Sequence, residues 1–397
     1  LICASKEGRD SCVDMLLHKG AAISVVDHNG MHPLMWAAKN GHIASCKILI
    51  GRGAGVNAFD VNDWTAIHYA AKYGHKEVVD FLAHSGASIV LREKLEEGKT
   101  PLMLAAQYGR RETVLCLLER GANVNAITTR DELTALALAA KEGHKGTVRA
   151  LIERGADANM SDSYGWTPLH FTASWGRKET AKLLIRQGGA DVNSMPVKKK
   201  SGAGGTTPLI IASKGQQVDM INVLLDHGAD PSINDAGSGK NPLAIAAQEG
   251  FTKSVEALID HDVDLNVRDY RGMTPLMLAV IGGYADTIRL LLAACADITL
   301  LDAEEKSALD HARDFNFEDT YLLAILKSSA EGKATVIPWI EMDVPKMIRG
   351  SICGGPSVFL NSICYQKDGM YAGIFLRPPI QDVHLIHDLC MLSAAMA

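Results

Sequence analysis

The sequence predicts an all-α solenoid of stacked helix-turn-helix units with short β-hairpin fingers, followed by a tail outside the repeats. Three observations predict this fold class: a recurring capping motif, a nearly constant period and paired glycines in most units. In the clearest motif, Thr167 can cap a helix by accepting a backbone N–H two or three residues ahead. Pro168 then takes the first helical position, where its fixed φ suits the helix. Leu169 begins an apolar stripe, so each copy of the motif predicts a new short helix.

The capping position recurs along most of the chain at a nearly constant interval. Successive steps are 33, 35, 34, 33, 40, 34, 33 and 33 residues. Such a period is the signature of a repeat protein, in which each unit buries its apolar face against its neighbours. The capping positions are His32, Thr65, Thr100, Thr134, Thr167, Thr207, Asn241, Thr274 and Ser307.

Each unit carries the same internal pattern. A first helix ends at a glycine such as Gly74, which can adopt the backbone dihedrals that a helix end requires. A second helix carries apolar residues at helical spacing and ends at another glycine, such as Gly121. Gln216 takes the position of the first glycine in its unit. Residues 194–206 form an insertion with the composition of a flexible linker.

Several segments resemble the consensus of the ankyrin repeat. They include residues 167–170 (Thr-Pro-Leu-His), 117–125 (Leu-Leu-Glu-Arg-Gly-Ala-Asn-Val-Asn) and 224–230 (Leu-Leu-Asp-His-Gly-Ala-Asp). The resemblance covers residues 1–330, which we interpret as ten repeats, the first truncated and the last acting as a cap. It implies that the hairpins and first helices form a concave face that contacts partners.

The two ends of the chain differ from the repeats. The sequence begins at Leu1, inside a repeat, so we expect the chain to be a piece of a longer protein. Residues 331–397 form a separate segment with five prolines and no repeat signature. We expect this tail to be either poorly ordered or a small appended element, with one amphipathic helix at residues 383–396.

Composition and charge argue against several function classes. The formal net charge is −6, and no basic stripe of the kind that binds nucleic acid is visible. No apolar run reaches the ~18 residues of a membrane helix, so no membrane insertion is expected. Eight cysteines without a C-x-x-C pair indicate a reducing compartment. We therefore expect a monomeric, cytoplasmic protein, with the nucleus as an alternative location.

The sequence predicts no enzyme, cofactor or metal site. Cys353, Cys364, His384, His387 and Cys390 lie in the tail, but their spacing is not a familiar zinc-binding one. Catalysis would also require a nucleophile beside a base and an orienting acid, which the repeats do not place together.

Two sets of polar residues have positions that the family resemblance explains. His68 and His170 occupy the fourth position of the capping motif, where the resemblance implies hydrogen bonds between repeats. Asn57, Asn125 and Asn193 resemble the asparagines that an oxygen-sensing hydroxylase modifies in ankyrin proteins. The alternative for these asparagines is structural, because an Asn side chain can close its own turn by local hydrogen bonds.

Five aromatic residues form the predicted partner-binding set. Trp64 and Trp166 precede the capping threonine, and Tyr73, Tyr108 and Trp175 precede the glycine that ends the first helix. By resemblance, both positions point to the concave face. Large aromatic side chains dominate binding hot spots because they bury much area at little cost in entropy. The alternative is that these rings pack on neighbouring hairpins and stabilise only the repeats.

The function predicted by these patterns is that of a non-catalytic protein-interaction scaffold or adaptor. Its partner would contact the hairpins and first helices of several consecutive units. Two alternatives stay open. One is the targeting arm of a larger protein, such as a channel, kinase or ubiquitin ligase. The other is a substrate receptor for a ubiquitin ligase, because residues 385–390 resemble the start of a ligase-recruiting box.

Overall fold

The computed structural model describes residues 1–94, 98–195 and 205–314, together with Leu326 and three strands in the tail. The chain forms two compact units, Leu1–Ser238 and Gly239–Ala397. In both units the described repeats consist of short helix pairs, which confirms the predicted helix-turn-helix fold class.

The first unit contains helices α1 to α14. Odd-numbered helices are the first helices of the pairs and even-numbered helices are the second helices. First helices pack against first helices, and second helices against second helices, along the chain. The bounds are α1 Ile2–Lys6, α2 Asp10–His18, α3 Pro33–Lys39, α4 Ile43–Gly51, α5 Ala66–Tyr73, α6 Lys76–His84, α7 Pro101–Gln107, α8 Arg111–Glu119, α9 Ala135–Glu142, α10 Lys145–Glu153, α11 Pro168–Ser174, α12 Lys178–Arg186, α13 Pro208–Lys214 and α14 Val218–Asp226.

The second unit continues the helix pairs and adds a small antiparallel sheet in the tail. In the sheet order β1-β3-β2, Ile374 of the central strand pairs with Ile337 on one side and Ile363 on the other. The helix predicted at residues 383–396 lies outside the described residues. The bounds are α15 Pro242–Gln248, α16 Thr252–Ile259, α17 Pro275–Gly282, α18 Ala285–Ala293, α19 Ala308–Asp314, β1 Ile337–Pro338, β2 Phe359–Cys364 and β3 Gly373–Arg377.

First helices from α3 to α19 start directly after the predicted capping positions. The first turn of a helix has backbone N–H groups without helical partners, and a capping oxygen satisfies one of them. The hydroxyl oxygens of Thr100, Thr134, Thr207 and Thr274 accept the N–H three residues ahead at 3.1–3.4 Å. Asn241 caps α15 in the same way through its side-chain oxygen, at 2.7 Å.

Left-handed backbone residues end the helices of each pair. Gly74 has φ +85° after α5, and Gln216 adopts φ +54° at the equivalent place, as its position in the repeat predicts. Asp262 and Cys295 have φ +55° and +69° where other units place the second glycine. A non-glycine residue in this region is strained because its Cβ approaches the following carbonyl oxygen.

Small side chains let the first helices lie close together. Ala37, Ala70 and Ala105 are fully buried between them. The second helices contribute larger apolar side chains, of which Leu82 and Leu117 are fully buried. Each pair therefore covers its apolar face with the neighbouring pairs, as expected of a repeat protein.

The hairpin fingers are organised mainly by turns. Among the described residues, isolated antiparallel bridges join Phe59 to Thr65 and Ile127 to Thr134. A buried aspartate provides further support in several fingers. Asp60 Oδ1, for example, accepts the backbone N–H groups two and four residues ahead, both at 2.9 Å. The predicted fingers are thus present, but with little strand structure.

Candidate partner-binding surface

The histidine of the capping motif joins consecutive units. His68 Nδ1 lies 3.2 Å from the backbone nitrogen of Thr65, and its Nε2 lies 3.1 Å from the carbonyl oxygen of Leu91. His170 makes the equivalent contacts, and its Nε2 lies 2.8 Å from the carbonyl oxygen of Thr206. The predicted role of these histidines in linking repeats is confirmed.

The hydrogen bonds also fix the protonation of both imidazoles. Because the backbone N–H of Thr65 donates to Nδ1 of His68, this nitrogen carries no proton. The proton is therefore on Nε2, which donates to the carbonyl oxygen of Leu91. Burial lowers the pKa of His68 and the pKa of His170 to about 4. Both side chains are structural, neutral groups rather than candidates for acid–base chemistry.

A second series of hydrogen bonds holds the ends of the first helices. His75 Nε2 lies 2.9 Å from the carbonyl oxygen of Lys39, and Arg110 Nε donates to the carbonyl oxygen of Lys72 at 3.1 Å. A Cβ on Gly41 would lie 2.6 Å from the His75 ring, and this glycine has φ +80°. The backbone at Lys39 and at Lys72 is therefore anchored by the following unit.

The asparagines predicted as hydroxylation sites bond to the next unit. Asn57 Nδ2 donates to the carbonyl oxygen of Gly86 at 3.1 Å, and its Oδ1 accepts the N–H of Ser88 at 2.8 Å. Asn125 and Asn193 each make the same pair of bonds with the unit that follows their own. The structural alternative, in which each asparagine closes its own turn, is wrong in this respect, because the amide reaches across the repeat interface.

Sequence reasoning missed further members of this series. Asn159 donates to the carbonyl oxygen of Gly189 at 3.1 Å and accepts the N–H of Asp191 at 2.8 Å. Asn266 accepts the N–H of Asp297 at 2.9 Å. Both lie at the same repeat position as Asn125, so the period alone could have found them, although Ala158 and Leu265 stand where the motif has valine.

Of the two tryptophans before the capping threonines, Trp64 is buried and Trp166 is half-buried. Trp64 is only 6% exposed, and its ring centroid is 5.0 Å from that of Tyr69. Trp166 is half-buried, and its ring centroid lies 5.2 Å from that of Phe171. Each indole packs on the aromatic ring five residues ahead in the following helix. Trp64 therefore supports the surface from below rather than presenting its ring to a partner.

The three aromatic residues at the ends of first helices are exposed. Tyr73, Tyr108 and Trp175 are 40%, 37% and 54% exposed, respectively. They occupy the same position in their repeats, just before the glycine that follows the helix. Tyr73 and Tyr108 belong to adjacent units whose first helices pack together, and Trp175 lies two units further along the chain. We call Tyr73, Tyr108 and Trp175 the aromatic patch.

Three lysines that sequence reasoning missed lie against aromatic rings of the first helices. Each ammonium nitrogen is 4.7–5.8 Å from the centre of at least one ring, within the range of cation–π attraction. The lysines share one repeat position and are 33 residues apart, a signal that was available in the sequence. The lysine–aromatic ladder comprises Lys6, Trp36, Lys39, Trp64, Tyr69, Lys72, Tyr73 and Tyr108.

Two carboxylates bond to the edges of these rings. The indole N–H of Trp36 donates to Asp27 Oδ2 at 3.0 Å, and the hydroxyl of Tyr69 donates to Asp60 Oδ2 at 2.6 Å. Burial and the hydrogen bond to Asp60 raise the pKa of Tyr69. The other oxygen of each carboxylate accepts backbone N–H groups of its finger. Both acids are therefore bound within their own units.

The charged side chains of the second helices are paired with one another. Their arginines and lysines form salt bridges with acidic residues of neighbouring units. The bridges are Arg52–Asp14 at 2.7 Å, Arg120–Asp80 at 2.6 Å, Arg154–Glu119 at 3.0 Å and Lys178–Asp219 at 2.8 Å. Such exposed pairs contribute about 0–1 kcal/mol each to stability.

Other site chemistry is limited in the part of the chain that the structure describes. No group of three or more His, Cys, Asp or Glu side chains there is placed to hold a metal ion. The tail residues Cys353, His384, His387 and Cys390 lie outside that part. Burial raises the pKa of the Cys46 thiol to about 12, which makes it unreactive.

The helices of the same described residues are short. None of their helices combines the length and the apolar content needed to cross a bilayer.

Family models for ankyrin repeats match most of the chain. The model for three ankyrin repeats matches residues 1–93, 126–196, 155–235 and 209–302. The model for a single ankyrin repeat matches residues 97–129, between two of these segments. The matched segments coincide with the helix pairs described above.

Individual relatives share the repeats over shorter stretches. An ankyrin repeat protein of Fowlpox virus (strain NVSL) is 33% identical over 152 residues, covering 38% of this chain and 44% of its own length. Human Rabankyrin-5 is 27% identical over 225 residues, covering 56% of this chain and 16% of its own length. A BTB/POZ domain and ankyrin repeat-containing protein of Lupinus luteus is 43% identical over 65 residues, covering 16% of this chain and 12% of its own. The chain thus spans less than half of each of these relatives, and on the family matches it belongs to the ankyrin-repeat family.

Proposed function

We propose that the chain is a non-catalytic interaction module that binds a protein partner at the ends of its first helices and at the adjoining fingers. The observation that supports this most directly is the exposure of the aromatic patch at one repeated position. Large exposed aromatic side chains are costly to leave in water and are enriched in binding hot spots. Membership of a family that generally mediates protein–protein interaction agrees with this proposal.

Bonds between units preorganise this surface for binding. The histidine and asparagine bonds between units, such as His170 to Thr206 and Asn57 to Gly86, hold neighbouring helix ends in register. A partner that contacts several units therefore orders little of this chain when it binds. Lower ordering cost leaves more of the contact energy as affinity.

The test is affinity purification from cell lysate with the full chain and with a variant carrying Tyr73→Ala, Tyr108→Ala and Trp175→Ala. We expect a partner to be retained by the parent chain and lost by the variant. A matched control carries Met15→Ala and Leu16→Ala, which remove side chains of the second helix α2 that are 63% and 38% exposed, away from the first-helix ends and the fingers. The control should retain the partner.

Equal recovery of every partner by the parent and by the aromatic variant would contradict the proposed location of the binding surface. Thermal unfolding followed by circular dichroism has to show that both variants remain folded. Since all five substituted side chains are exposed, we expect changes in unfolding free energy within about 0.5 kcal/mol per site.

A second candidate is that these repeats are the targeting arm of a larger protein. It is favoured by the relatives, which are much longer than the matched region and include proteins whose name combines a BTB/POZ domain with ankyrin repeats. A transcript that encodes a further domain continuous with this chain would establish it. The ubiquitin-ligase receptor alternative depends on residues 385–390, which lie outside the described residues.

We also propose a monomeric protein of the cytoplasm or the nucleus that binds no nucleic acid. The net charge of −6 argues against binding to nucleic acid, and the free cysteines among the described residues agree with a reducing compartment. Sedimentation of the purified chain and fractionation of cells are the direct tests.

Hydroxylation of Asn57, Asn125 and Asn193 stays a prediction from resemblance. Their amides are engaged in bonds between units, so a modifying enzyme would first have to open the repeat interface locally. Mass spectrometry of the chain purified from cells tests it: peptides containing these residues should gain the mass of one oxygen atom.

A further inference from the structure

We infer that the lysine–aromatic ladder binds an extended acidic peptide whose carboxylates recur at every third residue. This inference rests on the proposed function, since it names the kind of protein segment that the same surface accepts. It goes further by assigning a charge pattern and a spacing to that segment.

Lys6, Lys39 and Lys72 make no salt bridge with any carboxylate among the described residues, whereas the arginines of the second helices pair with acids of neighbouring units. The nearby acids Asp27 and Asp60 already accept ring and backbone donors. Among the described residues, the ladder thus presents a row of cations that no carboxylate neutralises and that the carboxylates of a bound peptide could pair with.

The ladder lysines are held in place before any ligand binds. Lys39 lies over the ring of Trp36 at 4.7 Å and also within 5.8 Å of Tyr69, so its side chain is confined between two units. The carbonyl oxygens of Lys39 and Lys72 are hydrogen-bonded to the following unit. Fixed backbones and stacked side chains reduce the entropy that these lysines lose when they pair with an anion.

The ladder lysines recur at a regular spacing. Lys6 and Lys39 are the last residues of α1 and α3, Lys72 is the second-to-last residue of α5, and these helices pack side by side. Packed helices lie about 8–10 Å apart, so the ammonium groups recur at about that distance. A polyproline II segment has three residues per turn and rises about 3.1 Å per residue, which places every third side chain about 9 Å apart on one face. Acidic segments favour such extended forms because their charges repel one another.

The ladder suits a peptide better than a nucleic acid. The row stops at three lysines, because the next unit has Gln107 at this position, and the whole chain carries a net charge of −6. Proteins that bind single strands stack bases on open aromatic faces. Here the lysine ammonium groups already cover the faces of Trp36 and Tyr108. An acidic peptide fits this arrangement better than a base-stacking ligand does.

The test is a fluorescence anisotropy titration of the full chain with a labelled peptide of three consecutive Glu-Pro-Pro triplets. The control peptide has the same composition, but its three glutamates are contiguous and are followed by six prolines. We expect the triplet peptide to bind at least about threefold more tightly than its isomer, and both affinities to fall as salt rises.

Variants of the chain assign the binding to the ladder. Replacing Lys6, Lys39 and Lys72 by Gln should weaken binding of the triplet peptide by about tenfold or more, while replacing all three by Arg should retain most of it. The matched control replaces three exposed lysines that lie outside the ladder, and its affinity should change by less than about twofold. These controls are Lys19→Gln, Lys47→Gln and Lys76→Gln.

Four results would overturn the inference: no binding of the triplet peptide, equal binding of the two isomers, equal losses in the ladder and control variants, or tighter lysine-dependent binding of a nine-nucleotide oligothymidylate. The last result would assign the ladder to nucleic acid instead. These failures are distinct from failure of the proposed function. If the aromatic variant loses a cellular partner while the triplet peptide does not bind, the interaction surface stands and only the acidic-peptide assignment falls.

Discussion

His170 Nε2 lies 2.8 Å from the carbonyl oxygen of Thr206, although residues 194–206 form the longest insertion between repeats. His68 also bonds to the next unit, but its acceptor, the carbonyl oxygen of Leu91, lies nine residues before the capping Thr100 rather than directly before it. On the other side of the insertion, Asn193 Nδ2 still donates to the carbonyl oxygen of Gly228 at 3.3 Å. The insertion therefore leaves both series of inter-repeat bonds intact.

The buried histidines should make stability depend on pH. Burial lowers the pKa of both imidazoles to about 4, whereas a histidine of the unfolded chain titrates near ~6.5. Between these values the unfolded state binds more protons, so stability is fully present above pH ~6.5 and falls as pH decreases toward 4. The loss should approach ~3 kcal/mol for each of His68 and His170. Urea unfolding at pH 7, 6 and 5 measures it.

Other repeats carry methionine at the histidine position and so suggest a control for this pH effect. Met103 and Met277 occupy the same repeat position, and each sulfur accepts the threonine N–H at 3.4 Å. The double variant His68→Met, His170→Met should lose about 1 kcal/mol per site at pH 7, because the bond to the next unit is removed. Its stability should change less than that of the parent chain between pH 7 and 5. An equally steep decline would show that other groups cause the pH dependence.

Substitution by alanine should reduce mainly stability at Trp64 and mainly partner affinity at Trp175. Trp64 is 6% exposed, so Trp64→Ala should lower the unfolding free energy by about 3–5 kcal/mol. Trp175 is 54% exposed, so Trp175→Ala should change stability by less than about 0.5 kcal/mol but weaken partner binding by about 2 kcal/mol. Chemical unfolding and affinity measurement separate the two effects. A large stability loss in Trp175→Ala would indicate a packing role instead.

Much of the fold could be predicted because its signals are local. A threonine followed by proline and leucine determines where a helix starts, and the helices that follow Thr100, Thr167 and Thr207 begin where the motif predicts. Glycine positions likewise predicted helix ends. These features depend on the dihedrals and hydrogen bonds of a few consecutive residues, so one sequence is sufficient to find them.

The binding surface was harder to predict because exposure depends on neighbouring units. Trp64 and Trp175 both occupy positions expected at the surface, but packing on Tyr69 buries the first and leaves the second open. The lysines were missed for a related reason. A lone lysine in a helix is ordinary, and only the stacking of Lys39 between rings of two units distinguishes it.

The asparagine series should contribute to stability whether or not it is modified. Asn57→Ala removes a donor to Gly86 and an acceptor for Ser88, so the unfolding free energy should fall by about 1–2 kcal/mol. Asn29→Ala is the matched control, since Asn29 lies in an exposed turn and its side chain makes no hydrogen bond with other described residues. Thermal unfolding compares the two. Equal effects would mean that the inter-unit bonds of Asn57 contribute nothing beyond hydration.

Gln216 should be a site where substitution stabilises the repeats. It adopts φ +54° at the position where most units place glycine, and its side chain is exposed. The left-handed conformation costs an L-residue about 1–2 kcal/mol, whereas glycine adopts it freely. Glycine has a cost of its own, because its greater freedom stabilises the unfolded chain by about 0.4–1 kcal/mol. Gln216→Gly should therefore stabilise by roughly 0.5 kcal/mol or slightly more, and Gln216→Asn should give a similar gain without the entropy cost.

The reverse substitution provides the control for Gln216. Gly228 has φ +85°, and a Cβ added there would meet no atom within 4 Å, so Gly228→Ala tests the backbone effect without a steric clash. We expect it to destabilise the chain by about 1 kcal/mol. Urea unfolding of the three variants should rank Gln216→Gly and Gln216→Asn above the parent chain and Gly228→Ala below it. If both Gln216 variants are less stable than the parent, the glutamine side chain must make a compensating contact that outweighs its backbone strain.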